Sequence, residues 1–390
     1  MKYLQFNGMD SRRIGLLRIG LTGMLLLVGG WSLFPLTTAA ADFDARGGQF
    51  FGLKKLKDFT VTTGAKPGEQ VLTSREFVAT LPWNELIVSW NADMPTDSYL
   101  RVEARAVYPD RPTKYYVMSL WSSNPAKYPR ESVKRQKDAD GDVKTDTLVL
   151  KRPSERFQIR LTMGGDAGQL PQIRFLGAHV LDTRVKLPPL PPNRAAWGVT
   201  LPVPERSQLA YEGGGVWCSP TTISMMLGYW ANRLKRPELD HDVPEVVKGV
   251  YDKQWGGTGN WIFNTAYAGS FPGMRAYTTR LNDMAELEDW IAQGIPVGLS
   301  VCSTRLRARD RAPSGHLIVC VGFTENGDPV INDPGTRQRV RQVFPRERVA
   351  YAWAYSKNAV YILLPENAAP PKDRFGHWDS WTSHQRVRMR

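Results

Sequence analysis

Cysteine is scarce in this sequence: 390 residues hold three, at positions 218, 302 and 320. An odd number cannot pair completely, so at least one thiol stays outside any internal bridge and needs another explanation. Long hydrophobic runs are nearly absent as well. The one candidate, residues 19–34, follows Lys2, Arg12, Arg13 and Arg18 and precedes Ala39, Ala40, Ala41 and then Asp42, the order of a secretory signal segment. Cleavage after Ala41 is expected, with an uncleaved anchor as the rival reading, and no other segment is apolar enough to cross a membrane. Arg12 and Arg13 also fit a twin-arginine export signal. The expected protein is exported, being periplasmic, secreted or attached to the cell envelope, and its thiols meet an oxidising compartment.

Nucleic-acid motifs are missing, so the formal charge of +13 reads as scattered, solvated basic residues rather than a nucleic-acid surface. No cofactor or metal is expected. Residues 138–142, Asp-Ala-Asp-Gly-Asp, look like half a calcium loop but lack the closing Glu, and they read as a polar hairpin turn. What the chain does have is apolar content of 42% and thirteen Trp, enough to build a globular protein. Its length suits two cores.

From about residue 50 to 182 the pattern alternates, with Leu100, Val102, Ala104 and Ala106 set between Arg101, Glu103 and Arg105. Further strand-like runs at 85–90, 115–120, 146–150, 157–163 and 172–176 lack a helical period, which predicts an all-β sandwich over 42–186. Trp83, Trp90 and Trp121 either fill its core or offer faces for sugar rings. Residues 187–204 begin with Leu-Pro-Pro-Leu-Pro-Pro, which stops helices and central strands alike and serves as the linker. Beyond it, Ile223, Met226, Leu227 and Trp230 have helical spacing, Asp242 and Glu245 form a capping box, and a third helix spans 283–293. Strands follow at 297–302, 317–323 and 329–332. Helices before a sheet make 205–365 an α+β domain, and 366–390 a basic tail.

Cys218 precedes Ser219-Pro220-Thr221-Thr222 and an apolar helical stripe, so it belongs at a helix N-terminus, where unpaired amides and the dipole favour a thiolate. A buried, inert thiol is the bland alternative. His316 opens the apolar strand Gly315-His316-Leu317-Ile318-Val319, and Asp333 follows one hairpin later in Asn332-Asp333-Pro334. An antiparallel return brings Asp333 beside His316, where a carboxylate fixes the imidazole tautomer.

Those segments, with Ser207-Gln208 and Trp217-Cys218-Ser219-Pro220-Thr221, resemble the double-glycine, bacteriocin-processing class of papain-like cysteine peptidases, especially its stand-alone bacterial members. The resemblance runs from about residue 204 to 364. It implies a papain-like fold, a triad of Cys218, His316 and Asp333, and Gln208 as donor to the oxyanion. The family glutamine usually stands six residues before the cysteine; here Glu212 has that spacing and Gln208 is ten residues upstream. A glycine-rich loop over 213–215 that bulges out would restore Gln208, whereas a carboxylate in its place would repel the oxyanion. The segment 256–261 reads by itself as a turn; it also resembles a segment of the stand-alone members, which implies a place lining the cleft.

The expected activity is therefore an exported cysteine peptidase acting on a peptide or protein, cell-wall peptide included. A transglutaminase-like acyl transferase, which shares the order Cys, His, Asp, is one alternative. An inactive binder of cell-wall glycan or peptide is the other. Cys302 and Cys320 fall on strands that could be neighbours, and an exported chain could bridge them.

Overall fold

The structure, a computed structural model, describes residues 47–186 and 188–373. Residues 1–46, which include the expected signal segment 1–41, lie outside the described residues, as do Leu187 and the tail beyond 373. Among the described residues no helix is long and apolar enough to cross a membrane.

The alternating region forms nine strands: β1 Gly48–Leu53, β2 Thr60–Thr63, β3 Gln70–Thr73, β4 Phe77–Asp93, β5 Ser98–Ala106, β6 Tyr116–Ser122, β7 Gly141–Lys144, β8 Thr147–Gly165 and β9 Gln172–Leu181. Period-two alternation does what it should in β5, burying Leu100, Val102, Ala104 and Ala106. Glu103, on the opposite face, is buried as well and is neutralised by Arg160 and Arg101. All nine strands join one hydrogen-bonded antiparallel sheet, whose main path is β1-β9-β4-β8-β3-β2. The runs expected at 146–150 and 157–163 are thus two stretches of β8, which pairs successively with β7, β4, β5 and β3. Trp83, Trp90 and Trp121 are buried in the core, so none presents a face to a sugar. The polar hairpin turn expected at 138–142 is instead a bend at 139–140 that leads into β7, with Asp138 Oδ1 accepting from the N–H groups of Asp140 and Gly141. The hairpin itself turns at 145–146. The carboxylates are matched by cations: Lys114 on Asp138, Arg111 on Asp140 and Lys144 on Asp142.

Among the described residues the C-terminal half contains six α-helices: α1 Cys218–Leu234, α2 Val243–Val250, α3 Trp261–Ala268, α4 Met284–Ala292, α5 Ser303–Leu306 and α6 Arg346–Trp353. Its six strands are β10 Met274–Arg280, β11 Val297–Cys302, β12 Gly315–Phe323, β13 Pro329–Asn332, β14 Arg341–Val343 and β15 Ala359–Pro365, in the antiparallel order β10-β15-β11-β12-β13-β14. The capping box of α2 closes as expected, Asp242 and Glu245 each accepting a backbone N–H of the other's segment. The architecture is thus mixed α and β with two antiparallel sheets.

The two halves are closely joined. Asn91 on β4 exchanges two hydrogen bonds with the backbone of Ala276 on β10, and Ser89 accepts from Thr278 N. Asp146, in the turn between β7 and β8, accepts from Trp261 N at the start of α3 at 2.9 Å. The proline-rich stretch is also tied down: Leu190 N donates to Asp283 and Asn193 N to Glu288, while Trp197 Nε1 reaches the other oxygen of Glu288.

The proposed bridge between Cys302 and Cys320 is not made, and both thiols are free. Strands β11 and β12 are indeed neighbours, but Cys302 faces Gly315 and Cys320 faces Val297. The two cysteines are therefore displaced along the ladder by about 17 Å at a strand's rise per residue, far beyond the span of a disulfide.

Candidate active site

The site forms where the first turn of α1 meets one end of the second sheet. Helix α1 starts at Cys218 and carries Pro220 in its first turn, where a missing N–H costs nothing. Its next residues seat it on the sheet: Ser219 Oγ shares a 2.8 Å hydrogen bond with Tyr361 OH of β15, both buried. The helix is buried along most of its length, from Ser219 to Ala231, so the position of Cys218 is fixed by packing. Cys218 itself is only half-buried, and its helix-terminal amides have no acceptor within the helix.

His316 is the second residue of β12 and pairs with Val301 of β11. On the other side of β12, Val319 faces Asn332, the last residue of β13. Antiparallel counting along that register sets Asp333 opposite Ile318 and Gly335 opposite His316, so the carboxylate reaches the imidazole diagonally. His316 Nε2 and Asp333 Oδ1 are 2.6 Å apart. The other ring nitrogen, Nδ1, is then left for Cys218, the second hydrogen-bonding partner of His316.

Burial alone would hold the Cys218 thiol up, but the hydrogen bond and charge of His316, with the amides of Leu317 and Ser219, outweigh it and lower the thiol below its ordinary range. For His316 burial favours the neutral ring, yet Asp333 and Cys218 reverse the effect and raise it to about 9. Asp333 is fully buried and is nonetheless lowered, because His316, Arg307 and the N–H of Gly335 together overcome its desolvation. A lowered thiol beside a raised imidazole is the electrostatic signature of a thiolate and imidazolium pair.

Arg307 is a participant that the sequence did not single out. Its Nη2 pairs with Asp333 Oδ2, while Oδ1 serves His316 and Gly335 N, so both carboxylate oxygens are occupied. Nothing in the run 305–311 distinguishes Arg307 from the arginines around it; only the path of the chain after α5 does. Gly335 completes the site. A Cβ there would lie 3.0 Å from His316 Cε1 and 3.0 Å from Arg307 Nη2, so the close approach of this backbone depends on glycine.

Gln208 is buried beside these residues but makes no hydrogen bond to Cys218. Its Nε2 donates to Gly214 O at 2.9 Å, its N–H donates to Pro334 O at 3.0 Å, and its Oε1 has no partner among the described residues. It therefore links the segment leading into Cys218 with the one that follows Asp333. The extra residues turn outward, Gly214 N bonding back to Tyr211 O, and Glu212 is exposed in that turn. A side chain at Gly214 would collide with the carbonyl of Gln208, the Cβ falling 1.8 Å from its oxygen. In the segment 256–261, Thr258 Oγ1 donates to Val216 O at 3.5 Å, which puts this loop beside the approach to Cys218. Among the described residues, no cluster of His, Cys, Asp and Glu could hold a metal ion.

Two family models match this chain. Residues 60–180 match the family model described as Peptidase C39 N-terminal domain, and residues 200–361 match that of the Peptidase C39 like family. A solved structure described as a C39-like peptidase from Bacillus anthracis is 17% identical over 42% of this chain and 96% of its own, with a TM-score of 0.32. No curated protein matches the chain.

Proposed function

This chain is a peptidase C39-like family protein, and from that premise we propose that it is a cysteine peptidase with Cys218 as nucleophile, His316 as acid and base, and Asp333 as orienter. Carrying the reading is the contact chain from the helix-terminal Cys218 through His316 to the buried Asp333. The Cys218 thiolate attacks the substrate carbonyl carbon, and the C–N bond breaks as imidazolium His316 passes its proton to the leaving amine. Water then attacks the thioester, giving its proton to His316, and the thiolate leaves. The oxyanion would be met by the free N–H of Cys218 and by the amide of Gln208, whose second Nε2 hydrogen remains for it. Arg307 is a positioning residue, holding Asp333 ionised and in place.

In the same reading, residues 42–186 form a sandwich-like domain and 205–365 a papain-like domain, joined through 187–204. The chain is exported, loses 1–41, and acts on peptide or protein substrates, cell-wall peptides among them. Incubating the mature protein with a mixture of peptides and identifying new termini by mass spectrometry tests this. New termini that vanish in Cys218→Ala and after alkylation are expected. Incorporation of an added amine with no hydrolysis would move the assignment to acyl transfer, and no turnover of any kind would leave a binding protein.

A further inference from the structure

On the surface near His316, α5, the segment after it and α6 line an open depression of about 630 Å³ with Arg305, Arg309, Arg311 and Arg348 in its wall. Glu347 is the one acidic residue in that wall, and it forms no ion pair with these arginines. Arg305 has no carboxylate partner either: its guanidinium lies 4.5 Å over the ring of Tyr351 and 5.6 Å from that of Tyr355, and Nη1 donates to Tyr351 O at 3.3 Å. Arg309, Arg311 and Arg348 are exposed, as is Asp310 between the first two, and among the described residues their side chains form no ion pair with a carboxylate. Elsewhere in the molecule, arginines and lysines next to acids pair with them, as Arg111, Arg152, Arg206 and Arg346 do. Four cations around one concavity, with Glu347 the one acid in its wall, leave a net positive charge there, and an anionic ligand relieves their mutual repulsion.

The position of the cavity says what the ligand is. The segment that forms its wall also carries Arg307, which points the other way onto Asp333. From His316 the surface continues through Gly315 and Ser314 to Pro313 in the cavity wall, all three exposed, and a Cβ on Gly315 would meet nothing within 4 Å. Three residues of extended chain span about 10 Å, enough to run from the reacting carbonyl to the cavity.

The geometry points to a subsite for acidic side chains, which takes Asp or Glu of a substrate polypeptide about three residues from the bond that is cut. This rests on the peptidase reading, since that reading makes the anion a carboxylate on a polypeptide. Guanidinium forks suit carboxylates in pairs of hydrogen bonds, and exposed charges make the attraction sensitive to salt.

The test uses the full mature chain as Cys218→Ala, so that binding is read without turnover. A fluorescein-labelled peptide with five consecutive glutamates is titrated by anisotropy beside its five-glutamine counterpart, at low and at physiological salt. The glutamate probe should bind at least about tenfold more tightly, and this preference should shrink as salt rises. Arg309→Gln with Arg311→Gln should weaken it by about five- to tenfold, whereas Lys57→Gln, an exposed charge in the first half of the chain, should leave it as it was. Equal binding of both probes, no binding of either, or unchanged affinity in the double variant would overturn the proposal. The peptidase reading has its own outcome: binding of the glutamate probe with no hydrolysis of any peptide by the wild type removes that reading and keeps the subsite. Hydrolysis of acidic and neutral peptides at equal rates does the reverse.

Discussion

Replacing Asp146 with Asn should stabilise this protein at neutral pH, although it removes a charge from a hydrogen-bonded carboxylate. Asp146 is 7% exposed. Its Oδ2 accepts from Trp261 N at 2.9 Å and its Oδ1 from Thr147 Oγ1 at 3.1 Å. Burial dominates these bonds and pushes the carboxyl up from 3.8 to about 6. The folded state therefore holds this proton more tightly than the unfolded chain, and stability is lost as pH rises through the interval between those values. At 1.36 kcal/mol for each tenfold change, the loss above pH 6 is about 3 kcal/mol. An Asn keeps both contacts, because its oxygen accepts from Trp261 N and its NH2 donates to the Thr147 hydroxyl, which can turn to accept. Urea unfolding followed by tryptophan fluorescence should give Asp146→Asn an advantage of about 1–3 kcal/mol at pH 7 that is lost near pH 4, where the carboxyl is largely protonated in the folded state. A destabilised variant at pH 7, or the same difference at both pH values, would refute the reasoning and make Asp146 an ordinary ionised cap for α3.

Three further outcomes concern the site. Asp333→Asn leaves Arg307 without its counter-charge and His316 without its carboxylate, and should lower kcat by about a thousandfold and folding stability by about 3 kcal/mol, read by peptide hydrolysis and urea melts. In Gly335→Ala the new methyl presses on His316 and Arg307; kcat should fall by at least about tenfold with KM little changed, and an unaltered kcat would show that the imidazole has room to move. Hydrolysis should decline as pH rises through about 9, where His316 gives up its proton, and a plateau extending well past that pH would contradict the assigned pair.

The sequence made some of this architecture legible because the local signals were strong and agreed with the global fold. Strands at 297–302 and 329–332, the boxed cap of α2 and a helix opening at Cys218 each follow from a local rule, and the structure has them where expected. The hairpin placing Asp333 beside His316 was readable from chain order alone, since antiparallel return dictates it. Other features depend on tertiary context. The two strand-like runs merge into β8 because one long strand can change partners along its length. Arg307 is one arginine among several until the turn after α5 aims it at Asp333, and Gly335 looks like any turn glycine until the register sets it against His316. Proline density marked 187–204 as a linker, but nothing in it announced that its backbone would be bound by the acids of α4. The Cys302 and Cys320 bridge failed for a related reason: neighbouring strands were correctly expected, but their register was not visible.

The most direct test of the account is the rate at which Cys218 of the folded mature protein reacts with an iodoacetamide-type probe across pH, compared with His316→Ala and with the modified residue mapped by mass spectrometry. The account predicts that Cys218 reacts well below pH 7, that Cys302 and Cys320 stay largely protected, and that the substitution returns Cys218 to the profile of an ordinary thiol with a pKa of about 8.5. If Cys218 in the unaltered protein reacts only near that ordinary value, or the profile is the same without His316, then no thiolate and imidazolium pair exists and the catalytic assignment is wrong.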